Sequence, residues 1–274
     1  MGGLKQFFQL YINGSVHVAF SAAALTWLTY LEVGVFPNFK VIGIVFCATI
    51  AGYNFIKYFG LASTHHRNIT PQIKRILWLS IVSILGILIL LVSLKWPVVI
   101  VLLMSSLVTF LYARPLGLKN LVIHDQNLRE VSGLKIFIIA AVWTSMTVLI
   151  PFIDIQISFD QFGWIYLTQR YIFIMALVLP FDIRDTIYDQ IRLATIPQIL
   201  GLIGTKIVGV FGTMIVVFLT FYIDIDIIPM LIACLLLTLS ILLSNAKRPF
   251  YFTAFWVEGI PLIWLSSLLL SRLD

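Results

Sequence analysis

Nine apolar segments fill almost the whole sequence, and each is long enough to cross a lipid bilayer. A hydrocarbon core of about 30 Å requires about 20 residues of helix, so spanning helices account for nearly all 274 residues. The mean hydropathy of +1.04 excludes a soluble globular protein. We predict one integral membrane domain over residues 1–274, with helices at approximately 14–33, 40–62, 76–94, 96–112, 134–152, 163–181, 203–222, 226–244 and 250–270.

The basic residues outside these segments alternate in number from one connection to the next. Thirteen lie on one side of the predicted membrane, and only three lie on the other: Lys40, Lys95 and Arg272. Cytoplasmic loops carry the excess of Lys and Arg, so the alternation supports the helix count and predicts a cytoplasmic N-terminus. The formal charge of +6 is spread over short loops, and it lacks the concentrated patch that nucleic-acid binding requires.

The predicted fold class is an all-α, polytopic membrane bundle of about nine helices around a central cavity. The connections near residues 63–75, 113–133 and 182–202 are long and polar, and all three belong to the predicted cytoplasmic side. Long polar loops on one side of a bundle commonly cover a binding site. We therefore expect the functional site at the cytoplasmic side of a cytoplasmic-type membrane.

The most unusual polar feature is a cluster of three acidic residues at the end of an apolar segment: Asp182, Asp185 and Asp189. On a helix these side chains lie within roughly 60° of one another, so their charges repel unless a cation neutralises them. Mg²⁺ suits such a cluster because it binds one or two carboxylates and shares its shell with substrate phosphates. The alternative is that the acids pair with Arg184 and Arg192. Pro180 is expected to break the helix before the acids.

The acidic run is followed by Thr195-Ile-Pro-Gln-Ile-Leu-Gly201. Two further stretches stand out, Tyr112-Ala-Arg-Pro-Leu-Gly-Leu-Lys119 and Gly133-Leu-Lys135, the second of which leads into Ala141-Val-Trp-Thr144 and Pro151. The acidic run, together with the stretch from Thr195 to Gly201, resembles the second aspartate-rich motif of the UbiA-type intramembrane prenyltransferases. The other stretches are similar to the fourth-loop and fifth-helix signature of that family, and the nine-helix arrangement with a cytoplasmic N-terminus also fits it.

The resemblance implies a helical barrel in which Mg²⁺ ions, held by two aspartate motifs, bind a prenyl diphosphate. Ionisation gives an allylic cation, which an aromatic or other lipophilic acceptor captures. By position in the motif, Asp185 and Asp189 would be metal ligands and catalytic residues, with Asp182 assisting them. Arg129 and Lys135 lie where family members hold the diphosphate, although the cytoplasmic excess of basic residues explains them equally well.

The first aspartate motif of the family is not preserved in this sequence. The matching stretch keeps Asn54, but the positions of the carboxylates are occupied by Phe55, Tyr58 and Ala62. One Mg²⁺ ion rather than two is therefore expected. Asn54 either orients the diphosphate or forms hydrogen bonds between helices.

A fixed positive charge could replace the missing metal ion, because an ammonium group also stabilises a departing diphosphate. The candidates are Lys57 and the following loop residues His65, His66 and Arg67. The alternative for Lys57 is that its side chain extends to the nearby membrane interface. The two histidines are as readily explained as ordinary polar loop residues.

Two more charged residues, Arg170 and Glu258, fall inside predicted spans. Each is costly alone in hydrocarbon, so we expect them to pair with each other or to line the cavity.

The leading hypothesis is a UbiA-like prenyltransferase whose partners are a prenyl diphosphate, a lipophilic acceptor and membrane lipid, with no nucleic acid and no predictable protein partner. An inactive relative that binds a prenyl lipid, a quinone or a partner subunit is the alternative. A small ion-coupled transporter is less favoured, because the two halves lack matching broken helices.

Overall fold

The computed structural model describes residues 2–62, 70–113, 133–187, 194–223 and 225–273, and all regular elements in these ranges are helical. They are α1 (Gly2–Asn13), α2 (Val16–Glu32), α3 (Phe39–Ala62), α4 (Pro71–Leu91), α5 (Trp96–Ala113), α6 (Lys135–Thr144), α7 (Ile150–Ile155), α8 (Gln161–Asp185), α9 (Ile196–Tyr222), α10 (Ile227–Leu243) and α11 (Ile260–Ser271). A π-helical turn, Ser145–Leu149, joins α6 to α7, and a second, Phe252–Val257, precedes α11.

Seven helical segments within the described ranges are long and apolar enough to cross a membrane: Phe39–Tyr58, Pro71–Leu91, Trp96–Ala113, Lys135–Ile155, Gln161–Asp185, Ile196–Tyr222 and Phe252–Ser271. The helices α2 and α10 have 17 residues each, at the short end of the usual range for a span. Together with α2 and α10, these segments overlap the nine predicted from hydropathy, and the all-α membrane bundle is confirmed. The helix α1 precedes the first predicted span and was not predicted.

The two π-helical turns lie shortly before prolines. Pro151 has no backbone N–H, so it cannot donate to the carbonyl of Thr147 one turn earlier. That carbonyl instead accepts a hydrogen bond of 2.7 Å from Thr29 Oγ1 on α2. The turn before Pro261 widens in the same way, with Glu258 N bonded to Thr253 O at 3.1 Å. Each widened turn thereby offers backbone oxygen atoms to the neighbouring helix.

The helices that lead to and from the acidic stretch differ from the prediction. The helix α8 continues through Pro180 to Asp185, so the expected break at this proline is wrong. A proline removes one helical hydrogen bond, and tight packing of this buried part of α8 tolerates the loss. The interruption lies instead in α9 at Gly201, whose φ of 68° is a conformation that glycine adopts easily.

Contacts between neighbouring helices close into a ring. The helix α2 packs against α3 and α11, α3 packs against α5, and α5 packs against α6 and α7. The ring continues from α6 to α8, α9, α10 and back to α11. The helix α4 lies outside it against α3, and much of its surface is exposed. The ring brings the end of α8 near α3, α6 and the final span.

Candidate functional site

Asp182 lies near the end of α8 and is buried. Only 1% of its side chain is exposed, and its Oδ1 lies 2.8 Å from Nζ of Lys135 at the start of α6. The packing of α6 against α8 brings the two charges together although they are far apart in the sequence. Two predicted site residues are thus neighbours, and they neutralise each other.

Asp185 is the last residue of α8, and it pairs with the residue before it. Arg184 Nε donates a hydrogen bond of 2.7 Å to Asp185 Oδ1, and 29% of the Asp185 side chain is exposed. The guanidinium also donates to Thr253 and lies 5.3 Å from the centroid of the Phe250 ring, so it is fixed against the final span. For Asp185 the structure thus has the arginine pairing considered above.

Asn54, the residue of the first aspartate motif that this sequence keeps, connects α3 to α4 and to the turn before α2. Asn54 Nδ2 donates to Ser80 Oγ on α4 at 3.0 Å and to Gly14 O at 3.2 Å. Its Oδ1 accepts a hydrogen bond of 2.9 Å from Ser15 Oγ. Asn54 is only 3% exposed, and both amide hydrogens are used within the bundle. These contacts fit the predicted role in bonding between helices.

Aromatic residues at the former carboxylate positions have packing roles. The Phe55 ring stacks against Phe110 of α5, with the ring centroids 5.8 Å apart. Tyr58 donates a hydrogen bond of 3.4 Å to Asn13 O at the end of α1. The helix α3 therefore contributes no carboxylate at these two positions, and the side chain of Ala62 lies outside the described part of the chain.

Lys57 lies near the end of α3, where its ammonium contacts the junction between α1 and α2. Its Nζ donates a hydrogen bond of 2.9 Å to Ser15 Oγ, and it lies 5.9 Å from the centroid of the Tyr53 ring. The ammonium also lies within electrostatic reach of Glu258 and Arg184. The side chain of Lys57 also keeps an exposed surface. The contact with Ser15 lies inside the bundle, and the exposed surface agrees with the alternative in which Lys57 extends to the membrane interface.

The start of α2 positions the final span beside Lys57. His17 Nε2 contacts Phe255 O at 2.8 Å, and the Tyr11 hydroxyl contacts His17 Nδ1 at 2.8 Å. The Ser21 hydroxyl donates to the backbone carbonyl of Glu258. Both carbonyls belong to the widened π-helical region, so its irregular backbone is held by α2. Sequence reasoning missed this network, and a histidine within an apolar segment was its only visible signal.

Of the two alternatives given for Arg170 and Glu258, pairing with each other is wrong. Arg170 is fully buried, and its Nη2 lies 3.2 Å from Glu32 Oε2 at the end of α2. Its guanidinium also donates to the Tyr166 hydroxyl at 2.9 Å and lies 4.8 Å from the centroid of the Trp264 ring. The charges of Lys57 and Arg184 act on Glu258 instead. The ring of helices separates the two charges into different polar clusters, which hydropathy does not reveal.

The carboxylates that the structure describes fit Mg²⁺ only in part. Within the described ranges, no group of three or more His, Cys, Asp or Glu side chains is placed to hold a metal ion. Asp182 does not fit as a direct ligand, because it is buried against Lys135. Asp185 does fit, because its carboxylate is partly exposed and leaves room for substrate oxygen atoms. Other predicted site residues lie outside the described ranges: Asp189, Arg129, Arg192, His65, His66 and Arg67.

A solved structure shares the arrangement of helices seen here. The apo structure of a UbiA homolog from Aeropyrum pernix K1 aligns with a TM-score of 0.63, over 94% of this chain and 98% of that chain. The chain has a UbiA-type fold. The sequence identity is 13%, and neither a protein-family model nor a curated protein matches the sequence. The likeness therefore concerns the fold, and the activity must be argued from the site.

Proposed function

We propose that this protein is a UbiA-like membrane prenyltransferase, which binds a prenyl diphosphate and transfers its isoprenoid to an aromatic or other lipophilic acceptor. The observation that carries this proposal is the presence of Lys57 and of the pair Arg184 and Asp185 near one end of a membrane bundle with a UbiA-type fold. Cationic side chains suit a diphosphate, and the apolar side chains of a bundle suit an isoprenoid chain.

The cations at this end of the bundle have separate tasks in this proposal. The Arg184 guanidinium and the Lys57 ammonium bind the diphosphate oxygen atoms and stabilise the charge that develops as the carbon–oxygen bond breaks. Lys135 holds Asp182 in place and supports the end of α8. Asp185, with Asp189, would hold one Mg²⁺ ion, which would supply further Lewis-acid stabilisation of the leaving group. The excess of Lys and Arg on this side of the bundle supports a site that faces the cytoplasm.

The second candidate is an inactive relative that binds a prenyl lipid, a quinone or a partner subunit at the same end of the bundle. Phe55 and Tyr58 favour it, because they occupy carboxylate positions of the first motif and pack against neighbouring helices. The pairing of Asp182 with Lys135 also favours it, because this carboxylate is already neutralised by the protein. A binding protein needs an apolar site but does not need the leaving-group chemistry.

Release of pyrophosphate by the purified protein distinguishes the two candidates. Geranyl to polyprenyl diphosphates are supplied with Mg²⁺ and a range of aromatic acceptors. We expect release by the wild-type protein, a decrease of about a hundredfold in Asp185→Asn, and inhibition by EDTA. Asp160→Asn is the matched control, because Asp160 caps the opposite end of α8 and asparagine caps a helix equally well. If no chain length or acceptor gives release, the enzymatic proposal is refuted.

A further inference from the structure

A groove runs along the outer surface of the bundle between α9 and α10. It has a volume of about 430 Å³, and its apolar lining comes from one face of α9 and one residue of α10: Ile203, Ile207, Val210, Phe211, Met214 and Leu242. The α9 residues follow the helical period, so they form a continuous stripe. Ile207, Phe211 and Met214 are 63–64% exposed, and an exposed apolar surface of this kind on a membrane bundle contacts lipid chains.

Close packing on the adjoining face of α9 explains why the groove is there. A methyl group at Gly209 would come within 2.9 Å of the Ile241 side chain on α10. One turn further along, the hydroxyl groups of Thr213 and Thr238 are hydrogen bonded at 2.9 Å. Small residues let two membrane helices approach closely, and the larger side chains beside them stand out from the contact. The groove therefore follows from the residues at which the two helices touch.

The groove extends over the depth of one membrane leaflet. From Ile203 to Met214 there are eleven residue steps, which is about 16 Å of helix. The hydrocarbon core is about 30 Å thick, so this length is about half of it. The groove starts shortly after the interruption of α9 at Gly201, next to the long connection predicted on the cytoplasmic side. Its extent suits one acyl chain whose headgroup lies at that end.

Two cations lie where such a headgroup would be. Lys206 lines the groove, and its Nζ donates a hydrogen bond of 2.6 Å to Leu242 O near the end of α10. Arg248 Nε donates to the next carbonyl, Leu243 O, at 2.9 Å. Neither cation pairs with a carboxylate in the described ranges. An ammonium has three N–H donors and a guanidinium has five, so both keep donors for a further ligand.

We propose that this groove binds an anionic phospholipid, with one acyl chain along α9 and the phosphate group on Lys206 and Arg248. The apolar stripe matches the chain, and the two cations match a headgroup with a net negative charge. Basic sites between membrane helices favour such headgroups, and charge-assisted hydrogen bonds to phosphate are strong. The site lies on the outer surface of the bundle, so the inference does not depend on the proposed prenyl diphosphate site.

Native mass spectrometry of the full chain in detergent tests the headgroup. The probes are phosphatidylglycerol and phosphatidylcholine with the same acyl chains. We expect the wild-type protein to bind phosphatidylglycerol at least about fivefold more tightly, because each cation near the membrane surface contributes about that factor. Lys206→Gln is expected to weaken phosphatidylglycerol binding about fivefold and to leave phosphatidylcholine binding unchanged. Lys206→Arg keeps the charge and should keep the preference.

Two further variants test the site against general effects of charge and surface. Lys74→Gln removes an exposed lysine at the start of α4, on the same predicted side of the membrane, and it is expected to change neither affinity. Val210→Phe fills the groove without changing its charge. We expect it to weaken binding of both lipids about tenfold, which is the effect of removing about two methylene groups from an apolar contact.

Each contrary result overturns a stated part of the inference. Equal wild-type affinities for the two lipids refute an anionic headgroup site. A preference that persists in Lys206→Gln, or that is lost equally in Lys74→Gln, refutes the assignment to Lys206. Binding of both lipids by Val210→Phe at the wild-type level refutes the groove as the place of the acyl chain. None of these results bears on release of pyrophosphate, so the proposed function is tested separately.

Discussion

Replacement of Glu32 by glutamine removes the carboxylate that faces the fully buried guanidinium of Arg170. Arg170 donates to Leu25 O at 3.0 Å and to the Tyr166 hydroxyl at 2.9 Å, and it lies 3.2 Å from Glu32 Oε2. Only 1% of the Glu32 side chain is exposed. Water therefore cannot compensate for the lost negative charge.

Removal of one partner from a buried ion pair costs about 3–5 kcal/mol, because the other charge is left uncompensated. We expect Glu32→Gln to be destabilised by an amount in this range, since Arg170 has no exposure to solvent. The double variant Glu32→Gln with Arg170→Met contains neither charge. It is expected to be more stable than Glu32→Gln alone by at least about 1 kcal/mol, because an apolar side chain of similar length replaces the stranded guanidinium.

The measurement is unfolding of the purified protein in mixed micelles, followed by tryptophan fluorescence and analysed as a double-mutant cycle. Arg75→Gln on the exposed surface of α4 is the control, and it is expected to change stability by less than about 0.5 kcal/mol. The reasoning is refuted if Glu32→Gln unfolds like the wild-type protein, or if the double variant is less stable than Glu32→Gln. A structural role for Arg170 also leaves the transporter hypothesis without one of its two intramembrane charges.

Three further substitutions test the contacts of α8 with its neighbouring helices. Lys135→Met removes the ammonium that lies 2.8 Å from the buried carboxylate of Asp182. We expect it to lower the free energy of unfolding by about 3 kcal/mol in the same fluorescence assay. An effect under about 0.5 kcal/mol would contradict the ion pair. Gly209→Ala and Gly212→Ala form a matched pair on α9. A methyl group at Gly209 comes within 2.9 Å of buried side chains on α8 and α10, whereas at Gly212 the nearest atom is 3.7 Å away. In thermal unfolding, we expect Gly209→Ala to lower the free energy of unfolding by about 1–3 kcal/mol and Gly212→Ala to leave it unchanged or raise it. Equal effects of the two substitutions would contradict the close packing at Gly209.

Local signals predicted most of the helices but not all of their ends. The span expected from residue 203 agrees with the part of α9 that follows the interruption at Gly201, because glycine and a long apolar run are both visible in the sequence. The continuation of α8 through Pro180 was not predictable, since the loss of one hydrogen bond is outweighed by packing against neighbouring helices. The helix α1 was missed because its apolar run is too short to read as a span.

The site was predicted less completely than the fold. Asp182, Asp185 and Lys135 were identified from motif positions, and the structure places Asp182 and Lys135 in contact. The effect of the Lys57 charge on Glu258 was not predicted, because no spacing rule connects α3 to the final span. The contact of Arg170 with Glu32 was not predicted for the same reason.

The sequence by itself determined that this protein is an all-helical membrane protein. The apolar segments allow no other solution, because backbone groups inside a bilayer must be satisfied within a helix, and this rule acts on each segment separately. Only the tertiary structure decided which charges face one another. Arg170 contacts Glu32, and Lys135 contacts Asp182, because of how the ring of helices closes. The energy of a charge pair depends on the distance between the two charges and on their burial. Both depend on how helices pack together, so the sequence of one segment does not determine them.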